Sequence, residues 1–157
     1  MKTAYILILL LTLHGYCTGS MTKDKLPSSE AEKLEQKIFL LINEYRVSGH
    51  FAPLVLNSLL VQQSRLHSHD MSTSLLPFGH DGLEQRRSLI SKSLSGETIA
   101  ENVAFYSACP DCAKKIVENW LKSPPHRKNI EGAYSFTGIG VGKNSKGTYY
   151  VTQIFWG

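Results

Sequence analysis

The segment from Thr148 to Phe155 is apolar on both of its faces, and this feature limits the possible folds most. Side chains alternate along an extended segment. The two faces carry Tyr149, Val151, Gln153 and Phe155, and Tyr150, Thr152, Ile154 and Trp156. A sheet that is apolar on both faces needs helices over both of them. The sequence therefore predicts an α+β fold, a three-layer α-β-α sandwich with a small central, mainly antiparallel sheet.

Two further segments are predicted to complete this sheet. Phe136 to Gly142 has strand character, and the turn-forming residues Lys143 to Gly147 predict a hairpin loop to the last strand. Thr98 to Phe105 alternates loosely between apolar and polar residues, which predicts a third strand. This strand carries Glu101, and a glutamate inside a strand requires an explanation.

Three helices are predicted before that strand. Ser29 and Glu32 form a capping box at the start of the first helix, which Gly49 ends. Asn57 caps a second helix that runs toward Met71. Its spacing places His67 on the core-facing side, as a hydrogen-bonded histidine, and His69 on the surface. Residues 83–92 are predicted to form a short third helix.

An amphipathic helix follows between residues 110 and 123. Its apolar stripe consists of Ala113, Ile116, Val117, Trp120 and Leu121. Pro110 is expected in the first helical turn, where proline is tolerated. Pro124 and Pro125 end the helix near Ser123, because proline moves the preceding residue out of the helical region. His126 is therefore expected in a turn just past a helix end.

The length of 157 residues indicates one domain. Residues 1–19 are predicted to be a signal peptide, since a positive start precedes a short apolar run. Residues 20–32 are an N-terminal lead and residues 33–157 the folded domain. Cleavage after Cys17 or Ser20 remains open, as does a lipid anchor on Cys17. The mature chain is then expected to be secreted, with no transmembrane segment.

Charge and cysteine content narrow the function classes. Loss of Lys2 with the signal leaves a net charge of about +3, and no aromatic-interleaved basic run predicts a nucleic-acid surface. Removal of Cys17 with the signal peptide leaves two cysteines, Cys109 and Cys112. An even number of cysteines in an exported chain favours a local disulfide between them. A redox role for this pair is the alternative. Zinc binding by the pair would need two further ligands.

Three separated residues are candidates for a binding site. His80 lies in the irregular loop from Leu75 to Gly82, Glu101 on a strand and His126 after a helix. Two imidazoles and one carboxylate are the ligand set of many open zinc sites. His80 and His126 are the predicted metal ligands, and Zn²⁺ is the predicted cofactor.

An ordered series of short motifs carries a family resemblance from about Leu34 to Phe155. The motifs are Asn43-x-x-Arg46, Gly49, Pro53-Leu54, His67-Ser68-x-Asp70-Met71, Phe78-x-His80, Ala100-Glu101-Asn102-Val103-Ala104, Trp120-x-x-Ser123-Pro124-x-His126-Arg127-x-Asn129-Ile130 and Gly138-Ile139-Gly140-Val141-Gly142. Together they resemble the CAP superfamily, or SCP domain, of cysteine-rich secretory, antigen five and pathogenesis-related proteins.

The resemblance implies an α-β-α sandwich with a large cleft. His80 and His126 match the cleft histidines and Glu101 matches the acid of the Glu-Asn motif. Ser123 stands where many eukaryotic members have a second glutamate. The short chain, the Ser-Pro-x-His segment and the absence of several disulfides resemble the compact bacterial-type branch.

Three functional hypotheses follow from these residues. The leading one is a non-enzymatic extracellular binding module with no catalytic residues, whose ligand is a lipid, a sterol or a protein. It would serve in host or defence interaction. The second is a hydrolase that uses Ser123, His126 and Glu101, or a metal-bound water. The third is an inert scaffold in which Glu101 and Asn102 only satisfy buried backbone groups.

Overall fold

The computed structural model of the chain describes residues 29–107 and 110–157. The predicted signal peptide, the lead as far as residue 28 and Cys109 lie outside these residues. The elements are α1 (Glu30–Ser48), β1 (Val55–Leu56), α2 (Ser58–Ser72), α3 (Leu83–Ser91), β2 (Ile99–Ser107), α4 (Cys112–Lys122), α5 (Pro124–Glu131), β3 (Phe136–Lys143) and β4 (Thr148–Trp156).

The four described strands form one sheet in the order β1-β3-β4-β2. β4 pairs antiparallel with both β3 and β2, whereas β1 pairs parallel with β3. β2 therefore lies at an edge, with Glu101 opposite Ile154 and Asn102 opposite Gln153. The prediction of a small, mainly antiparallel sheet is confirmed.

Helices cover both faces of this sheet. α2 and α3 pack on one face, where Leu60, Ile90, Ile154 and Trp156 form a buried cluster. α1, α4 and α5 pack on the other face, over a larger cluster that includes Ile38, Ile116, Val151 and Phe155. The two faces of β4 thus enter two different cores, and the predicted three-layer sandwich is confirmed.

α2 lies directly against the backbone of β3. Ser64 and Ser68 donate hydrogen bonds to the carbonyl oxygens of Gly138 and Gly140, at 3.0 and 2.9 Å. A Cβ atom on Gly140 would lie 2.1 Å from a backbone nitrogen of α2. Only glycine allows this approach, which also fixes the position of the buried His67 on α2.

The structure corrects two predictions around α4. Pro110 was expected in the first helical turn, but the helix begins at Cys112 after a left-handed Asp111. His126 was expected in a turn, but it lies in the first turns of α5. Ser123 takes an extended conformation between the two helices, and Pro124 then occupies the first position of α5. Proline ends one helix and starts the next because its fixed φ suits a first turn.

The other helix predictions agree with the structure. α1 begins with the complete capping box between Ser29 and Glu32. Asn57 caps α2 through the backbone nitrogens of Leu59 and Leu60. No helix in residues 29–107 or 110–157 is both long enough and apolar enough to cross a membrane.

Candidate functional site

Glu101 is the centre of a polar cluster on the α2 and α3 side of the sheet. Its side chain is fully buried. One carboxylate oxygen, Oε1, lies 2.9 Å from Nδ1 of His80, and the other, Oε2, lies 2.7 Å from Nη2 of Arg86. Each oxygen of the carboxylate thus has its own cationic or imidazole partner.

This contact determines how His80 presents its ring. An ionised carboxylate only accepts hydrogen bonds, so Nδ1 of His80 is the donor. In the neutral ring, Nε2 on the far side then carries the free lone pair. The side chain is half exposed, which leaves it accessible to a ligand. Glu101 orients this imidazole, as carboxylates do beside metal-binding histidines.

Sequence reasoning missed Arg86 as a member of this cluster. Arg86 lies on α3, is buried, and also donates from Nη1 to the carbonyl oxygen of Asp81 at 2.9 Å. It therefore ties the loop that carries His80 to strand β2. The available signal was its position one helical turn before the buried Ile90, which places its guanidinium toward the core.

His67 lies beneath the same loop. Its ring is fully buried, and Nε2 lies 2.9 Å from the carbonyl oxygen of Gly79 and 3.8 Å from Oε1 of Glu101. The prediction of a core-facing, hydrogen-bonded histidine is confirmed. Burial lowers the pKa of His67, and the contacts with Gly79 and Glu101 oppose this only in part. His67 is therefore neutral at neutral pH.

His126 approaches from the opposite side of β2, on α5. Burial lowers its pKa, and the charge of a protonated His80 lowers it further. A neutral His126 keeps a free nitrogen lone pair at neutral pH.

Ser123 and Glu101 do not form a serine triad with His126. Ser123 lies between α4 and α5, and its side chain makes no capping hydrogen bond. Among the described contacts, both oxygens of Glu101 are used by His80 and Arg86, and neither contacts His126. The acid therefore orients a different histidine from the one nearest to Ser123 in sequence.

The predicted disulfide is not tested, because Cys109 lies outside the described residues. Cys112 is buried at the start of α4, with its sulfur 3.8 Å from the carbonyl oxygen of Ser107. The pairing of Cys109 with Cys112 stays a prediction.

An aromatic patch lies on the same side of the sheet as Glu101. Phe78, Phe105 and Tyr150 contact one another, with 5.0 Å between the ring centroids of the two phenylalanines. Phe78 is 46% exposed and Phe105 58% exposed. Since Phe78 is two residues from His80, the site has an apolar surface beside its polar cluster.

The candidate metal site offers two protein ligands, His80 and His126. In the part of the chain that the structure describes, no group of three or more His, Cys, Asp or Glu side chains is placed to hold one ion. His80 and His126 provide imidazole nitrogens, which suit zinc. The donor set therefore fits Zn²⁺ only if water or ligand atoms fill the remaining positions.

Fold and site together define a class: an α-β-α sandwich domain with a buried glutamate on its edge strand that holds the ring of a half-exposed histidine. The family model described as "CAP: Cysteine-rich secretory protein family" matches residues 39–155. The chain belongs to this family, and the resemblance inferred from its motifs is confirmed.

Bacterial proteins are among the similar ones. YkwD of Bacillus subtilis is 30% identical over 136 residues, which are 85% of this chain and 51% of that protein. The chain therefore spans about half the length of this relative. A Bacillus anthracis extracellular protein containing an SCP domain is 26% identical, with a TM-score of 0.65, over 80% of this chain and 41% of that one.

A second solved structure shares the fold over almost the whole length of that second protein. An outer surface protein from Borrelia burgdorferi is 17% identical, with a TM-score of 0.67. The match covers 80% of this chain and 92% of that one. A likeness at this identity shows a shared fold.

Proposed function

We propose that this protein is a non-enzymatic extracellular binding module whose site is built from His80, His126 and Glu101. The observation that carries the proposal is that one oxygen of the buried Glu101 carboxylate contacts His80 and the other contacts Arg86. A buried carboxylate held in this way serves to orient the His80 imidazole and to balance the charge of Arg86. Extracellular placement is supported by the relatives described as extracellular and outer-surface proteins.

In this proposal, Nε2 of His80 and a ring nitrogen of His126 hold Zn²⁺. The bound ion would supply a Lewis acid that attracts an oxygen or nitrogen atom of the ligand. Glu101 keeps the His80 ring in the tautomer that metal binding requires. The lowered pKa of His126 keeps its ring neutral and able to bind at neutral pH.

The ligand is proposed to carry an apolar group, as a lipid or sterol does. The support is the exposed aromatic patch of Phe78, Phe105 and Tyr150 beside His80. Burial of exposed aromatic surface favours binding by about 25 cal/mol for each Å² removed from water. A ligand that spans the histidines and the aromatic patch would place its polar head on the imidazoles and its apolar body on the patch.

The metal proposal is tested by calorimetric titration of the folded protein with Zn²⁺ alone at neutral pH. The wild-type protein should bind Zn²⁺, and the double variant His80→Ala with His126→Ala should lose this binding. His69→Ala is the matched control, because His69 is an exposed histidine on α2. Unchanged binding by the double variant would refute the proposed site.

The apolar part is tested separately with a fluorescent sterol and a fluorescent fatty acid. Phe105→Ser should weaken the binding of one of these probes, because it removes exposed ring surface without creating a core cavity. Leu40→Ser, at another exposed apolar residue, should leave binding unchanged. Equal losses in both variants would indicate nonspecific adsorption.

A further inference from the structure

Helix α5 carries His126 but has little apolar contact to hold it. It contains eight residues, and Ile130 provides its buried side chain. Helices are normally fixed in proteins by an apolar face. The position of His126 must therefore depend largely on polar contacts.

The first of these contacts comes from Asn102 on β2, whose side chain is fully buried. Its Nδ2 donates to the carbonyl oxygen of His126 at 3.1 Å, and its Oδ1 accepts from Nδ2 of Asn129 at 2.9 Å. Nδ2 of Asn129 also lies 3.3 Å from the carbonyl oxygen of Glu101. These bonds fix the amide of Asn102, because the reversed orientation would place its oxygen against the carbonyl of His126.

The spacing explains why two amides suffice. His126 and Asn129 are three residues apart, so both lie on the face of α5 that meets β2. Glu101 and Asn102 are consecutive in a strand, so their side chains point to opposite faces of the sheet. Glu101 holds the ring of His80 on one side, while Asn102 holds the main chain of His126 on the other.

The far end of α5 has its own anchor. Arg46, which is buried on α1, donates from Nη1 to the carbonyl oxygens of Ile130 and Gly132. Tyr45 donates its hydroxyl hydrogen to Glu131 at 2.6 Å. Loss of the Asn102 contact therefore releases the first turns of α5, where His126 lies, and leaves the end of the helix attached.

We propose that Asn102 and Asn129 are positioning residues that hold the first turn of α5, and with it His126, against β2. The consequence for zinc rests on the proposed function, but the geometric claim about α5 does not. Neither asparagine touches the ligand in this proposal. Their amides set the relative placement of two imidazoles that come from opposite sides of one edge strand.

The test compares Asn102→Asp with Asn43→Asp. Asn102→Asp keeps the shape and the acceptor for Asn129, but it places an oxygen against the carbonyl oxygen of His126. Asn43 also uses both ends of its amide, with bonds of 2.9 and 2.8 Å to the backbone of Leu54, and it lies on α1. The control thus loses the same kind of donor at a residue whose described hydrogen bonds go to Leu54 and not to α5.

Two measurements are made on each folded variant. Calorimetry with Zn²⁺ alone should show an affinity about tenfold or more below wild type in Asn102→Asp, and within about twofold of wild type in Asn43→Asp. Hydrogen exchange without metal should be faster at the backbone amides of Arg127 and Lys128 in Asn102→Asp. Asn129→Ala, at a half-buried position, should change both measurements in the same direction as Asn102→Asp does. It replaces Asn102→Asp in the test if that variant does not fold.

The outcomes separate the two proposals. If wild-type protein binds no Zn²⁺, the metal site fails, and hydrogen exchange alone decides the role of the asparagines. Exchange rates in α5 that match wild type in both variants would overturn the positioning proposal. An equal loss of zinc affinity in Asn43→Asp would also overturn it, because the effect would then be one of general stability.

Discussion

Replacement of Arg86 by methionine is the most direct test of the buried cluster around Glu101. Methionine has nearly the length of the arginine stem but no charge. The Glu101 side chain is fully buried and that of Arg86 is 8% exposed, so the variant leaves a carboxylate in the protein interior without its cation. Removal of one partner from a buried ion pair costs about 3–5 kcal/mol.

The double variant Arg86→Met with Glu101→Met should cost much less than the two single variants together. Replacement of a whole buried ion pair by apolar side chains is often close to neutral. A double-mutant cycle should therefore give a coupling energy of about 2 kcal/mol or more between Arg86 and Glu101. Arg87→Met is the matched control, since Arg87 is an exposed neighbour, and it should change stability by about 0.5 kcal/mol at most.

The assay is urea unfolding at pH 7, followed by tryptophan fluorescence. The buried residues Trp120 and Trp156 lie on opposite sides of the sheet and report on both cores. The free energy of unfolding comes from linear extrapolation to zero urea. A cost below about 1 kcal/mol for Arg86→Met would refute the argument that the pair is buried and coupled, as would single-variant costs that simply add.

Three further predictions concern packing, pH and surface charge. Gly140→Ala should lower the free energy of unfolding by about 3 kcal/mol or more, because the new Cβ meets the backbone of α2; an unchanged melting temperature would contradict this. The free energy of unfolding should fall as the pH drops below about 6.5, because His67 is protonated in the unfolded chain while burial keeps its pKa lower in the folded protein. Urea unfolding at pH 7.5 and pH 5 should show a smaller change of stability with pH in His67→Gln than in wild type; an equal change would contradict this. Lys37→Ala should leave the urea midpoint close to that of wild type, although its ion pair with Asp111 is only 2.6 Å long, because both side chains are about half exposed and solvent screens the pair; a clear fall in the midpoint would refute this.

Local signals were enough to predict most of the helices and strands. Caps such as Ser29 and Asn57 act within three residues, and the apolar stripe of α4 repeats within one helix. The apolar residues on both faces of β4 predicted the three layers, because each apolar face of the sheet must be covered by helices. The α5 helix was missed because the prolines that end α4 also start a helix of only eight residues, in which Ile130 is the buried residue.

The sequence by itself determined most of the helices and strands, the three layers and the identity of His80, Glu101 and His126 as candidates, since periodicity, caps and motifs are properties of neighbouring residues. Only the tertiary structure decided that Glu101 is shared between His80 and Arg86, and that Asn102 holds the segment of His126. The physical reason is that these contacts join residues from different elements. Their distances depend on how α3 and α5 pack against the edge of β2, which no local pattern records.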